Sequence, residues 1–205
     1  MSDVTVVIPA YNEAGRVGKV VEELVEDYEV LVVDDGSTDG TVSEARDAGA
    51  RVVEQPTNGG YIAALKRGFR EAETEVVVTY DADGEHRPGD VARVAEPIDT
   101  RDLDLVLGAR SSIPRPSERL LNHLTRLKVP VSDSGTGLRA LRRDLAVELE
   151  LDTTCTCGTL VLEATTKGAR IGEVPIETRE IEKPRGIAWG HGRQLLYVLR
   201  YLWKA

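Results

Sequence analysis

The chain has 205 residues, 41% of them apolar and 30% charged, which is enough for one packed domain and rules against a disordered chain. Its net charge of −9 excludes a broad nucleic-acid-binding surface, which would need a basic footprint. No uncharged run approaches the ~20 residues that span a bilayer, and the start MSDVTVVIPAYNE lacks the basic and apolar stretches of a secretion signal, so the expected location is the cytoplasm.

The first hundred residues alternate between two periodicities. Val4–Ile8 is a β-branched run ending at Pro9, and Glu13–Glu26 carries Val17, Val20, Val21, Leu24 and Val25 at helical spacing. Val30–Val33 is a second strand, stopped by Asp34-Asp35-Gly36-Ser37. Thr41–Ala48 reads as a helix closed by Gly49. Arg51–Glu54 is a third strand, Ile62–Glu71 a helix, and Glu75–Tyr80 a valine-rich fourth strand running into Asp81-Ala82-Asp83. Strands alternating with helices predict a parallel sheet covered on both faces, with right-handed crossovers.

The second half is less regular. Asp104–Gly108 is a predicted fifth strand, Ser111–Ser117 a loop with two prolines, Glu118–Leu127 a helix and Asp133–Gly137 a turn. Cys157–Thr166 is a predicted helix and Arg170–Ile176 a strand. Cys155 and Cys157, with one residue between them, make neither a disulfide framework nor a zinc site, and are expected to be buried, inert thiols.

Ligands of an open parallel sheet bind beyond the carboxyl ends of its strands. The polar clusters fall there: Tyr11-Asn12-Glu13 after the first strand, Asp34, Asp35 and Asp39 after the second, and Asp81, Asp83 and Glu85 after the fourth. Gathering like charges is costly unless a cation offsets them. A divalent ion shared between carboxylates and phosphate oxygens is the simple answer. A solvated acidic loop is the plain alternative. No dinucleotide fingerprint, P-loop or nucleophile elbow occurs, and three histidines are too few for a histidine-rich metal site.

The segments VVIPAYNE (6–13), VVDDGSTDGT (32–41), Asn58-Gly59-Gly60 and DADGEH (81–86) resemble the nucleotide-sugar-binding half of family-two inverting glycosyltransferases. VLGAR (106–110), DSGTGLRAL (133–141) and GARIGEVPIETR (168–179) extend the likeness toward the dolichyl-phosphate mannose and glucose synthases, over nearly the whole chain. The resemblance implies an α/β fold of the GT-A type: a mostly parallel, Rossmann-like open sheet flanked by helices, with a C-terminal amphipathic helix. It divides a single domain, 1–205, into a nucleotide-sugar half (1–110), an acceptor half (111–186) and a C-terminal helix (187–205).

By the same resemblance, Pro9, Tyr11, Glu13 and Asp35 hold the base and ribose, with Val33 lining the same slot. Asp81 and Ala82 touch nucleotide and sugar, and Asp83 is the main ligand of a Mg2+ or Mn2+ ion. Glu85 stands where the subgroup usually has glutamine, so it ligates with one extra negative charge. Arg110 and Arg119 match acceptor-phosphate arginines. Arg139 either orients that region or pairs with Asp133. Lys183 and Arg185 fall in a basic loop that reads KPRGIAWGHG here and lacks the subgroup's serine and lysine; His191 or Arg193 is the substitute cation to consider.

The implied reaction moves a hexose from GDP-mannose or UDP-glucose to polyprenyl (dolichyl-type) phosphate. An ionised phosphate acceptor needs cations rather than a base. A hydroxyl acceptor such as a glycan needs a base, and Asp133 is the candidate. A catalytically dead nucleotide-sugar sensor is the third reading, opposed by intact Asp35, Asp81 and Asp83. Residues 187–203 are too short and charged to cross a membrane. They either lie at a membrane surface as a peripheral contact, beside a possible separate membrane subunit, or cover the sheet, with both roles open to different faces.

Overall fold

The computed structural model describes residues 3–113, 115–153, 155–180 and 191–204. The strands are β1 (Val4–Ala10), β2 (Glu29–Asp34), β3 (Arg51–Glu54), β4 (Val76–Thr79), β5 (Leu105–Arg110), β6 (Arg139–Arg142) and β7 (Ile171–Ile176). The helices are α1 (Val17–Glu22), α2 (Thr41–Asp47), α3 (Tyr61–Glu71), α4 (Gly89–Thr100), α5 (Pro116–Arg126), α6 (Arg143–Glu148), α7 (Thr159–Thr166) and α8 (His191–Lys204). All seven strands form one sheet in the order β3-β2-β1-β4-β6-β5-β7.

The sheet is parallel except at β6, which runs antiparallel to both neighbours, β4 and β5. The sequence reading misses this strand: RALR has two arginines in four residues and no apolar run. It is a strand because Ala140 and Leu141 fill the two faces of the sheet while Arg139 is itself fully buried. The reading also misses α4 and α6. In α4, which follows Pro88, the apolar stripe Val91, Val94, Ala95 and Ile98 packs on the sheet despite the internal Pro97.

Strand alternation splits the core into two layers. Val6 and Ile8 of β1 and Val30 and Val32 of β2 face α1, α2 and α4. Val7, Leu31 and Val33 face the opposite layer, with Leu65 and Phe69 of α3, Leu121 of α5 and Leu160 of α7. Pro9 continues β1 without harm, since β4 pairs only as far as Val7 and the missing N–H costs no ladder bond.

The first helix is shorter than its apolar pattern. Glu13 N–H is given to Thr41 Oγ1, Ala14 N–H to Asp39 and Gly15 N–H to Glu44, so the second loop holds this segment as a turn until Val17. Helix α8 has two apolar faces. Val198 is buried, and Leu195, Tyr201 and Leu202 pack on the core. Leu196, Leu199 and Trp203 point outward, Trp203 at 90% exposure. Residues 187–190 of the expected helix lie outside the described residues. No described helix is long and apolar enough to cross a membrane.

Candidate active site

The carboxyl ends of β1 and β2 and the start of α3 enclose an open cleft of about 240 Å³, lined by Pro9, Tyr11, Glu13, Asp35, Asn58 and Tyr61 among others. Tyr11 is 46% exposed at its rim. Val33 does not line it: this side chain is fully buried in the layer under α3. Burial raises the Glu13 carboxyl above the usual range; Arg16 opposes this, and Asp83, Asp39 and Asp81 add to it. Both acidic loops therefore converge on Glu13, as the topology predicts.

The two loops use their charge differently. In the first, backbone N–H groups take up the carboxylates. Asp34 accepts from Gly36 and Ser37, and Asp39 from Thr41 and Ala14. Asp35 is 3% exposed. Its Oδ1 accepts from Gln55 Nε2 at 2.6 Å and Gly59 N at 2.8 Å, and its Oδ2 from Gly60 N at 2.7 Å. It thereby fastens the Asn58-Gly59-Gly60 turn, where Gly60 at φ +87 opens α3 in a conformation that disfavours side chains. This loop is a scaffold that leaves Asp35 at the cleft.

The second loop keeps its ligand atoms together. Among the described residues, Asp81, Glu85 and His86 bring carboxylate and imidazole atoms within 4.8 Å of one another. Asp83 is outside that trio; its Oδ1 accepts the Glu85 N–H at 3.0 Å and shapes the loop. Ala82 is 5% exposed. Tyr80, the residue after β4, donates its hydroxyl to the His86 carbonyl at 2.7 Å, and its ring meets the imidazole edge-on with centroids 5.4 Å apart. Gly137 backs the loop: a Cβ there would overlap the Asp81 carboxylate, while Thr79 Oγ1 holds the Gly137 carbonyl at 2.6 Å. Buried His86 has no hydrogen bond at either ring nitrogen, so the donor set suits a divalent cation better than a closed hydrogen-bond network.

Beyond β5 lies a buried polar cluster. Arg110 donates from Nε to Asp133 Oδ2 at 2.7 Å and from Nη2 to Asp133 Oδ1 at 3.1 Å, with Glu118 at 3.3 Å. Asn122 and the Gly135 N–H also approach Asp133 Oδ1. Burial alone would push the Asp133 carboxyl up; the Arg110 guanidinium outweighs it and holds it below the usual range. Arg119 is exposed on α5 and donates to the Ile113 carbonyl.

The partner of Asp133 is thus Arg110 and not Arg139, which corrects one sequence expectation. Arg139 is buried across the sheet, with Nη2 on Thr156 Oγ1 at 2.9 Å. Burial, helped by Asp81 and opposed by Arg139, pushes the neighbouring Tyr61 hydroxyl up to about 12. The cysteines are half-buried rather than buried, with Cys157 N–H on Cys155 Sγ at 3.3 Å. Lys183 and Arg185 lie outside the described residues.

Sequence reasoning gave no role to His86, Gly137, Tyr61 or Glu118. Two signals were present: a histidine directly after the acidic trio, and a glycine two residues before the buried arginine of β6.

Comparison with known proteins places the site in a family. Residues 5–161 match the model described as Glycosyl transferase family 2. A "dolichyl-phosphate hexose transferase" of Haloferax volcanii is 31% identical, over 87% of this chain and 83% of that protein. A "UDP-N-acetylglucosamine--dolichyl-phosphate N-acetylglucosaminyltransferase" of Methanococcus voltae is 29% identical, over 96% of this chain and 94% of its own length. Among solved structures, glucosyl-3-phosphoglycerate synthase of Mycobacterium tuberculosis has the same fold, with a TM-score of 0.83, 23% identity, and coverage of 98% of this chain and 80% of that one. That enzyme has also been crystallised with Mn2+ and UDP-glucose.

Proposed function

The chain belongs to glycosyl transferase family 2, a family of glycosyltransferases, and on that premise we propose that it transfers a hexose, with inversion at C1, from a nucleoside-diphosphate sugar to a polyprenyl phosphate. The observation that carries this reading is likeness along most of the chain to relatives named for transfer to dolichyl phosphate. Pro9, Tyr11, Glu13 and Asp35 bind base and ribose in the cleft at the ends of β1 and β2. Asp81 and Ala82 meet the diphosphate and sugar. Asp83 and Glu85 hold Mg2+ or Mn2+, and that ion supplies Lewis-acid neutralisation of the departing diphosphate.

The acceptor's phosphate oxygen is already ionised near neutral pH, so its attack on C1 needs orientation and positive charge, not a base. Arg110 supplies the charge. Asp133 and Glu118 fix its guanidinium. A carboxylate whose proton affinity is lowered by a buried arginine is a poor base, which favours the phosphate acceptor over a hydroxyl acceptor. Arg119, Lys183 and Arg185 add basic groups on the acceptor side. The outer stripe of α8, Leu196, Leu199 and Trp203, makes a peripheral contact at the cytoplasmic face of the membrane, where an aromatic ring suits the headgroup level.

The test is acceptor competition. Purified protein with GDP- and UDP-sugars is offered polyprenyl phosphate, the matching polyprenol, and 3-phosphoglycerate. Product from polyprenyl phosphate alone supports the reading. Product from the alcohol, or from 3-phosphoglycerate, contradicts it.

A further inference from the structure

We propose that His86 is a nitrogen ligand of the catalytic cation, which makes the site a mixed one in which His86 joins the Asp83 and Glu85 carboxylates, with Asp81 alongside. The inference rests on the reading above, in which a divalent ion works at this loop.

The physical argument starts from an unmade pair of interactions. A neutral imidazole has one donor and one acceptor nitrogen, and both are expected to find partners when buried. His86 is fully buried, and neither nitrogen has a hydrogen-bond partner. Asp81 Oδ2 is 3.6 Å from Nε2, beyond hydrogen-bond range. The residue is not misplaced by a loose loop. Tyr80 pins its backbone carbonyl and packs edge-on against its ring, and the Glu85 N–H is held by Asp83. The chain thus fixes a buried imidazole beside the Asp81 and Glu85 carboxylates.

That arrangement has a chemical use. Next to the Asp81 and Glu85 carboxylates, a neutral imidazole adds a donor without adding charge. Imidazole is a better ligand for transition metals than for Mg2+, which prefers oxygen. The same three groups bring their ligand atoms within 4.8 Å of one another. Glu85 contributes charge as well as a donor, where glutamine would supply only a carbonyl. The consequence is a preference for Mn2+ over Mg2+.

The test reads the ligand directly. Mn2+ is added to the purified full chain, alone and with UDP, and pulsed electron paramagnetic resonance is used to detect nitrogen coupled to the ion. The expected result is a 14N coupling that becomes a 15N coupling in protein grown on 15N-histidine. It persists in a His123→Gln, His191→Gln double variant and is lost in His86→Gln. Mn2+ binding in His86→Gln should weaken by about tenfold or more, with Mg2+ binding changed less. If His86→Gln does not fold, the isotope and double-variant spectra still decide the matter. Absence of histidine coupling while the phosphorus of bound UDP is still seen overturns the inference and leaves the donor reading intact. So does a coupling that disappears with His191. No Mn2+ bound with or without UDP removes both.

Discussion

Arg110 and Asp133 face each other through two hydrogen bonds, 2.7 Å from Nε and 3.1 Å from Nη2, with both side chains almost wholly buried. Removing one partner of a buried pair strands the other charge, at about 3–5 kcal/mol. Asp133→Asn is therefore expected to lower stability to urea by about that amount, as well as activity. Replacing both residues with apolar ones of similar size should recover much of the stability and none of the transfer.

The same pair sets a pH dependence. Asp133 titrates lower in the fold than in the unfolded chain, where the value is about 3.9. Its contribution is complete above that unfolded value and is lost as pH falls through the folded one. Urea midpoints measured from pH 7 downward should fall for the native chain in this acid range, and should depend less on pH in Asp133→Asn.

Glu13 has the opposite sign. Its carboxyl is raised, first by burial and then by Asp83, Asp39 and Asp81, so the fold disfavours its charged form at neutral pH. Glu13→Gln should melt higher than the native chain at pH 7 and converge with it below the carboxylate range. Donor binding, measured by calorimetry, should weaken in the same variant if Glu13 meets the nucleotide.

Gly137→Ala tests the support behind Asp81. The added methyl overlaps the Asp81 carboxylate, which must turn away or push β6 aside. Overpacking of this kind costs about 1–3 kcal/mol. The expected outcome is a modest fall in melting temperature and a loss of metal-dependent donor binding far larger than that fall explains.

The outward stripe of α8 predicts a separable surface effect. Leu196→Ser with Trp203→Ala changes exposed side chains, so stability should stay within about 0.5 kcal/mol of the native chain. Sedimentation with phosphatidylcholine vesicles should drop. Unchanged sedimentation would remove the membrane role of this face.

Much of this was legible in the chain itself. The period-2 and helical patterns of β1 through β4 are clean, and the rule that ligands gather beyond strand ends put Tyr11, Asp35 and Asp81 at one edge before any coordinates. What was not legible depends on partners remote in sequence. Arg139 reads as an orienting residue or the partner of Asp133, yet β6 inserts between β4 and β5 and buries it away from that carboxylate, on Thr156. Asp133 had Arg139 as its candidate partner, and the passage of β5 beside the 133–137 turn brings Arg110 to it instead. The first acidic loop offers as many carboxylates as the second, but they are occupied by backbone N–H groups from three segments, which no local pattern announces.

The most direct test of the central claim is transfer of radiolabelled sugar into an organic-extractable product. Purified protein, polyprenyl phosphate, MgCl2 or MnCl2 and a panel of GDP- and UDP-sugars would be compared with the same mixture containing EDTA, and with Asp83→Ala. The account predicts label in the lipid phase that requires the metal and disappears in Asp83→Ala. Donor binding or hydrolysis with no lipid-borne label under any combination would contradict it.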